Sequence, residues 1–263
     1  MRYKDCDYGR DFMKIKKICA ALALGGLVLA LTACGNSGSS SSKAASAVQP
    51  TSQNGKYVPN PTGKPMSEDL KDQLESLHEK EAKSIDTIKE LPAGSNKGKK
   101  IMIAYFTWGG RTGEVAHSIQ QKIGGDIYEI KRDPDYSKEY NAVLKEAAAE
   151  TDSNARPKLA GTQPDLKQYD VLVLGYPAWW FTAPMVIPSF LEQQDLKGKL
   201  IVPFMCSYSS PIEVTIPAIA AAAPGAKIFQ GLTLDANTSY NVIDPWLTKA
   251  GLMQLIKQKP LSI

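Results

Sequence analysis

The sequence predicts an α/β fold: a doubly wound, five-stranded parallel sheet with helices on both faces. From residue 99 onward, apolar runs typical of strands alternate with helix-like segments. This alternation is the pattern that builds parallel sheets from strand–helix–strand units. The apolar runs lack strict apolar/polar alternation, as expected of strands that are buried on both faces. No internal repeat is visible, so the segments form one domain rather than an array.

Each element of this domain rests on its own local pattern. The first strand is an apolar run, and the helix after it resumes helical spacing beyond a glycine turn. Pro188 interrupts the third helix, and Pro217 makes the fourth irregular. The predicted strands cover residues 100–106, 126–131, 169–177, 199–207 and 226–232, and the predicted helices cover 112–123, 137–150, 185–194, 212–223 and 242–256.

The N-terminal residues 1–33 have the pattern of a signal peptide. A basic head with Lys14, Lys16 and Lys17 precedes a short apolar stretch that ends in the letters LTAC. This ending resembles the lipobox of bacterial lipoproteins, in which the cysteine is lipidated and becomes the first mature residue. The resemblance implies lipidation of Cys34 and attachment to the extracytoplasmic face of the cell membrane. An ordinary secretory signal with a chance cysteine is the alternative.

Two further segments separate this signal from the α/β domain at 99–263. Residues 34–65 are rich in Ser, Gly and Pro and poor in large apolar side chains, which predicts a disordered tether. Residues 66–98 are predicted to form one helix, extending to residue 91, followed by a polar linker.

Charge and cysteine content exclude several functional classes. The net charge is +4, part of it lies in the signal, and no Lys/Arg stripe with interleaved aromatics indicates nucleic-acid binding. Cys206 is the one cysteine that remains beyond the lipidation site, so neither a disulfide nor a cysteine zinc site is expected. Clusters of metal-ligating residues and a nucleophile with a base are likewise missing from the sequence, so no catalytic residue is assigned. His117 is expected to be structural or at the surface.

The turn after the first strand is the strongest candidate for a ligand contact. The letters TWGGRT, residues 107–112, lie where an open parallel sheet binds ligands, at the carboxyl end of a strand. Glycine lets backbone N–H groups close around an anion at the start of the following helix. The turn lacks the lysine of a nucleotide-triphosphate loop and the spacing of a dinucleotide fingerprint. A phosphate site and a plain tight turn both remain compatible with it.

Two more strand ends carry aromatic and hydroxyl residues. The third strand ends in GYPAWWF, residues 175–181, and the fourth in CSYSSP, residues 206–211. The indoles of Trp179 and Trp180 could stack on a planar ring or pack in the core. A planar heteroaromatic phosphate would suit all three strand ends.

These motifs resemble the flavodoxin family, in its flavodoxin-like branch of bacterial FMN-binding proteins. IMIAYFTWGGRT is similar to the branch's first strand and phosphate loop, YDVLVLGYPAWW to its third strand and flavin-flanking loop, and GKLIVPFMCSYSS to its fourth strand and second flavin loop. Arg111 and SYSSP depart from the usual residues, which are asparagine and a glycine-rich loop. The resemblance implies the strand order 2-1-3-4-5 and FMN as the cofactor.

The resemblance also implies which residues would hold FMN. Its phosphate would lie on the first loop, one side of its ring on the second, and the other side or the pyrimidine edge on the third. The implied residues are Thr107, Trp108, Gly109, Gly110, Arg111 and Thr112; Pro177, Ala178, Trp179 and Trp180; and Ser207, Tyr208 and Ser209.

The expected function is electron transfer, or reduction of a small acceptor, by a membrane-tethered protein whose redox partner is not identified. A flavin-free binding lipoprotein of the same fold is the alternative, and NAD(P)-linked reduction without flavin is a third possibility.

Overall fold

The computed structural model describes Ser76 and residues 80–208, 210–235 and 237–253. The predicted signal peptide at 1–33 and the predicted tether at 34–65 lie outside these residues. Within the described part of the chain, no helix combines the length and apolarity needed to cross a bilayer.

Strands and helices alternate along the described chain as the sequence predicts. The strands are β1 (Ile101–Tyr105), β2 (Asp126–Glu129), β3 (Val171–Pro177), β4 (Leu200–Cys206), β5 (Lys227–Ile228) and β6 (Leu232–Leu234). The α-helices are α1 (Arg111–Ile123), α2 (Tyr140–Asp152), α3 (Val186–Leu191), α4 (Ile216–Ala222) and α5 (Ile243–Lys249). Short 3-10 helices cover Leu166–Gln168, Ile212–Thr215 and Tyr240–Val242.

The sheet is parallel and has the order β2-β1-β3-β4-β5, which confirms the strand order 2-1-3-4-5. Its middle strands β1, β3 and β4 are buried except at the last residues of β3 and β4, and their side chains alternate between two separate cores. Along β1, for example, Ile101, Ile103 and Tyr105 contribute to one core, and Met102 and Ala104 to the other. This alternation follows from the two-residue repeat of a strand.

The two cores are covered by different helices, which confirms helices on both faces. One core contains buried residues of α2, α3 and α4, such as Val143, Phe190 and Ile219. The other contains buried residues of α1 and α5, such as Val115 and Leu247. The loops that connect strands to helices are thereby collected at the two ends of the sheet.

The fifth strand differs from its prediction. The sequence predicts one strand over 226–232, but two short strands, β5 and β6, both pair with β4. Phe229 forms a parallel bridge with Ile88, and Gly231 lies so close to Ile212 that a Cβ would be 2.4 Å from its Cδ1. The contacts of Phe229 and Gly231 lie between β5 and β6, where the predicted strand is interrupted. The sheet therefore has six strands.

The predicted helix before the domain also ends early. Helical backbone continues only to Ser84, so the prediction of helix through residue 91 is wrong for 85–91. Ile88 instead donates its N–H to Ile228 O at 2.8 Å and accepts from Gln230 N at 2.7 Å. Ile88 and Leu91 pack against the α1/α5 core. We call residues 85–91 the edge segment, because they cover the β5 side of the sheet.

The last helix is shorter than predicted as well. It ends at Lys249 rather than continuing through 253, and Gly251 has a left-handed φ of 72°. Space there is tight, since a Cβ on Gly251 would lie 2.4 Å from Ser95 Oγ. Asn96 bonds the backbone carbonyl oxygens of Ala250 and Gly251. Residues that the sequence assigned to a linker thus fix the end of α5.

Candidate functional site

The carboxyl ends of β1, β3 and β4 meet at one edge of the sheet, and all three candidate loops lie there. Tyr105 pairs with Gly175, and Pro177 pairs with Cys206. We call this edge the rim. Its loops cover residues 106–110, 178–185 and 207–211.

The first rim loop has the backbone geometry of an anion cradle. Gly110, the N-cap of α1, has a φ of 90°, a conformation that favours glycine. Its N–H donates to Thr107 Oγ1 at 3.0 Å, which leaves the hydroxyl hydrogen of Thr107 available. A Cβ on Gly109 or Gly110 would meet nothing within 4 Å, so the space above both glycines is open. The first-turn amides of α1 have no acceptor within the helix and carry its positive end.

The hydroxyl of Thr112 is turned away from the space above the glycines and bonds within the domain. The Thr112 side chain is only 2% exposed and hydrogen-bonds the Cys206 thiol. Burial raises the pKa of Cys206, and the Thr112 bond opposes that rise. Thr112 can therefore bind an anion through its backbone amide, whereas its hydroxyl connects α1 to β4.

Arg111 brings a further loop to the rim. Its guanidinium donates to the carbonyl oxygen of Asp235, immediately after β6. The Asp235 side chain accepts bonds from Thr238 Oγ1 at 2.6 Å and Asn237 N at 2.8 Å, which fold this loop into a turn. Those bonds lower the pKa of Asp235. The sequence did not indicate this contact, because no local pattern pairs residues 124 positions apart.

The second rim loop is a tight hairpin. Trp179 and Thr182 exchange backbone hydrogen bonds of 3.0 Å in both directions. Between them Trp180 and Phe181 have φ values of 49° and 60°, as in a type I′ turn. Ala178 N donates to Cys206 O at 3.0 Å, which joins this hairpin to the end of β4.

Three aromatic rings from three different loops pack edge to face at the rim. The Trp179 ring lies 5.2 Å from the ring of Phe106 and 4.9 Å from that of Tyr136, measured between centroids. Phe106 and Tyr136 are 5.5 Å apart. We call Phe106, Tyr136 and Trp179 the aromatic triad. Trp179 therefore packs against other side chains of the domain. The aromatic surface that it forms includes the rings of Phe106 and Tyr136, which the sequence analysis did not assign to the site.

The other rim tryptophans are anchored by their ring nitrogens, Trp108 to the β2–α2 connection and Trp180 to α2 itself. Trp108 Nε1 donates to Ser137 O at 2.8 Å, and Trp180 Nε1 donates to Leu144 O at 3.2 Å. Both indoles are half-buried. Their faces can still contact a planar ligand at the rim, but their polar edges are already used.

The connection between β2 and α2 buries two side chains that the sequence analysis did not assign to the site. Tyr136 is 7% exposed, and the Arg132 side chain is 14% exposed. Arg132 bonds Glu146 and Glu150 of α2, which are four residues apart and so lie on one helix face. That spacing was the sequence signal for this cluster.

The third rim loop offers one open aromatic side chain. Tyr208 is 72% exposed, whereas Ser207 is 6% exposed and its Oγ accepts Ser210 N–H at 3.0 Å. Ser209 lies outside the described residues. Tyr208 is thus the side chain here that is free to cover a ligand.

Two cavities lie away from the rim loops. One of about 360 Å³ is lined by residues such as Arg156, Gln163 and Glu192, and one of about 250 Å³ by residues such as Lys89, Phe229 and Trp246. At the rim, a Cβ on Gly109 or Gly110 would meet nothing within 4 Å, and Phe106 of the same loop belongs to the aromatic triad. His117 is exposed and its Nδ1 lies 2.8 Å from Gly113 O within α1, as expected of a surface residue. This arrangement suits binding of a flat anion rather than general acid–base chemistry.

Comparison with known proteins identifies the family. The family model described as Flavodoxin matches residues 100–250, which is more than half of the chain. A search of curated proteins finds no match.

Two solved structures resemble the same part of the chain. A candidate flavoprotein from Bacteroides uniformis ATCC 8492 is 30% identical, with a TM-score of 0.53, over 58% of this chain and 100% of its own. A candidate flavoprotein from Bacteroides eggerthii DSM 20697 is 32% identical, with a TM-score of 0.52, over 57% of this chain and 96% of its own. The matched region contains the whole sheet and all three rim loops, and the chain belongs to the flavodoxin family.

Proposed function

We propose that the protein binds FMN at the rim and uses it to carry electrons or to reduce a small acceptor. The observation that carries this proposal is the cradle formed by Gly109 and Gly110 at the start of α1, beside the aromatic triad. The similar proteins from the two Bacteroides species, described as candidate flavoproteins, support the same cofactor class.

The residues present fit the two chemical parts of FMN. The backbone amides of 109 and 111–113, the Thr107 hydroxyl and the Arg111 guanidinium form a donor set suited to a phosphate dianion, and the Gly110 amide orients the Thr107 hydroxyl. Trp179, Trp180 and the exposed Tyr208 supply aromatic surface for the ring. Pro177 and Ala178 continue the second loop, and Ser207 holds the base of the third.

Bound FMN would supply reversible one- and two-electron redox chemistry, and the chain would set its environment. The cradle would fix the phosphate end, and the rim rings would exclude water from one side of the flavin. Arg132, the cation nearest to the triad, is paired with two carboxylates, so it adds little positive charge there. An electron-rich wall disfavours negative charge on the reduced flavin.

We also propose that a lipid on Cys34 tethers the protein to the extracytoplasmic face of the cell membrane. The support is the coincidence of basic head, apolar core and LTAC in residues 1–33 with the low-complexity segment 34–65. One acyl chain binds a bilayer only marginally, so the proposal requires at least two.

FMN titration of purified protein tests the cofactor. We expect flavin absorption in the sample as isolated, or quenching of FMN fluorescence with saturable binding after the flavin is removed. The variant Gly109→Val would place side-chain carbons in the open cradle and should abolish binding without lowering the melting temperature. A colourless protein that ignores added FMN would favour the flavin-free alternative.

Membrane tethering has a separate test. Cells producing the full chain are grown with a radiolabelled fatty acid and then fractionated. The unaltered chain should carry label and sediment with membranes, and Cys34→Ala should do neither. Cys206→Ala is the matched control, because it removes the thiol remaining in the domain and should change neither result. Label that survives Cys34→Ala would overturn the tether.

A further inference from the structure

Arg132 lies in the most buried ion cluster described near the rim. Its guanidinium contacts Glu146 Oε2 at 2.7 Å and Glu150 Oε1 at 2.6 Å. The Glu150 side chain is 12% exposed and that of Glu146 is 31% exposed. Arg132 Nε also donates to Pro134 O at 2.8 Å. The cluster therefore fastens the loop after β2 to α2.

This cluster holds Tyr136 from two directions. The Tyr136 hydroxyl donates to Glu150 Oε2 at 2.5 Å, and the Arg132 guanidinium carbon lies 4.0 Å from the centre of its ring. Glu150 thus bonds Arg132 through one carboxylate oxygen and Tyr136 through the other. Burial, followed by the bond to Glu150, raises the pKa of Tyr136 and keeps its hydroxyl a donor. Arg132 and Glu150 of α2 thus fix the ring plane of Tyr136.

The same cluster reaches two indoles at the rim. Tyr136 packs against Trp179 with an interplanar angle of 83°. Ser137 N donates to Glu146 Oε1 at 3.3 Å, and Ser137 O accepts the ring N–H of Trp108. One chain of contacts therefore runs from α2 to the second rim loop, and another to the first.

We propose that Arg132, Glu146 and Glu150 are positioning residues that orient the indoles of Trp179 and Trp108 for the flavin ring. They act through Tyr136 and Ser137 and touch no part of the cofactor. The predicted effect on FMN affinity rests on the proposed function, whereas the orientation of the two indoles does not. Buried ion pairs often add little to stability, whereas they can specify a geometry.

The geometry is tested in flavin-free protein that carries 5-fluorotryptophan. Fluorine NMR gives one resonance for each of the four tryptophans of the chain, and Trp179→Phe and Trp108→Phe assign two of them. Tyr136→Phe, which removes one hydroxyl, should shift or broaden the Trp179 resonance. Glu150→Gln should change the Trp179 resonance in the same way, and Glu146→Gln should change that of Trp108.

Glu192→Gln is the matched control. Glu192 forms a two-bond pair with Arg156, with distances of 2.7 Å, and neither residue contacts the rim tryptophans. This variant should leave both resonances unchanged. Unchanged resonances in Tyr136→Phe and Glu150→Gln would overturn the proposal, as would equal shifts in the control.

FMN titration provides the second measurement. Each of Tyr136→Phe and Glu150→Gln should weaken FMN binding about five-fold. An effect of this size is expected when one hydrogen bond that orients a binding residue is lost. The double variant should weaken it no more than the stronger single variant, because both changes act through one unit. Additive losses, or an equal loss in Glu192→Gln, would contradict positioning. If the unaltered protein binds no FMN, the proposed function fails while the fluorine spectra still decide the geometry.

Discussion

Phe181 occupies a backbone conformation that bulky side chains rarely adopt. Its φ of 60° follows a φ of 49° at Trp180, in the turn where asparagine and glycine are usual. Each residue in this conformation lowers the free energy of unfolding by on the order of 1 kcal/mol, and two such residues lie side by side at the rim. The strain indicates that the hairpin presents Trp180 for a reason other than stability.

A pair of substitutions isolates this strain. Phe181→Gly and Phe181→Ala both remove the ring, but only glycine tolerates the positive φ, so the glycine variant should be about 1 kcal/mol more stable. Urea unfolding measures the difference. At the exposed helical position Lys145 the same pair should have the opposite sign, with alanine more stable. An alanine variant as stable as the glycine variant at 181 would contradict the argument.

Arg111 is predicted to bind the phosphate of FMN. Arg111→Gln keeps the loop but removes the charge beside the cradle, and FMN should bind about ten-fold more weakly. Riboflavin, which lacks the phosphate, should bind the variant and the unaltered protein equally. Titrations with both flavins measure this, and Lys227→Gln, an exposed cation on β5, is the charge-matched control. Equal weakening of both flavins would assign Arg111 to loop structure instead.

The two adjacent indoles are predicted to lower the potential of the bound flavin. Replacing Trp179 and Trp180 with alanine removes electron-rich surface that disfavours the negatively charged reduced ring. The reduction potential should rise and FMN affinity should fall, as measured by a dye-coupled redox titration. Trp246→Phe removes an indole of α5 and should leave the potential unchanged. An unchanged potential in the double alanine variant would refute stacking by these residues.

At the scale of elements, the edge segment pairs with the sheet rather than forming the predicted helix. Its bonds to Ile228 and Gln230 satisfy backbone groups on the outer strand, where an open edge would otherwise invite pairing with other chains. We therefore expect a fragment that begins at residue 99 to be less stable than one that includes the edge segment.

A backbone substitution tests this role. Ile88→Pro removes the N–H that bonds Ile228 O, so unfolding should cost about 1 kcal/mol less than in Ile88→Ala, which loses the side chain but keeps the donor. Thermal melts of the two variants provide the comparison. The proline variant should also aggregate faster below its melting temperature. Equal melting temperatures would mean that the edge segment contributes only its side chain.

At the scale of the whole molecule, the sequence predicted those features that depend on residues close together in the chain. Uninterrupted apolar runs identified the buried strands, and glycine beside a strand end identified the cradle at 109–110. It did not predict the Arg111–Asp235 contact, the buried Tyr136 or the pairing of Ile88, because each depends on segments far apart in the chain. The burial of Arg132 was not predicted either, because its charge is paired with Glu146 and Glu150 only after α2 packs beside the β2–α2 connection.

Buried tyrosines across both cores make the fold sensitive to alkaline pH. Burial raises the pKa of Tyr105 and Tyr128, and the bond to Asp126, with burial, raises the pKa of Tyr169 to about 12. A raised pKa means that the folded state holds the proton more tightly than the unfolded chain. The stabilisation is complete below the unfolded value near 10 and is lost as pH rises toward 12.

Melting temperature should accordingly fall steeply above pH 10, together with the appearance of tyrosinate absorbance. Tyr169→Phe removes one of the titrating hydroxyls, so the variant should be less stable at neutral pH but should lose less on going to high pH. Tyr208→Phe is the control, because Tyr208 is 72% exposed and belongs to neither core. If Tyr169→Phe loses as much stability above pH 10 as the unaltered protein, the Tyr169–Asp126 bond contributes nothing to alkaline unfolding, and that loss must be assigned to the remaining buried tyrosines.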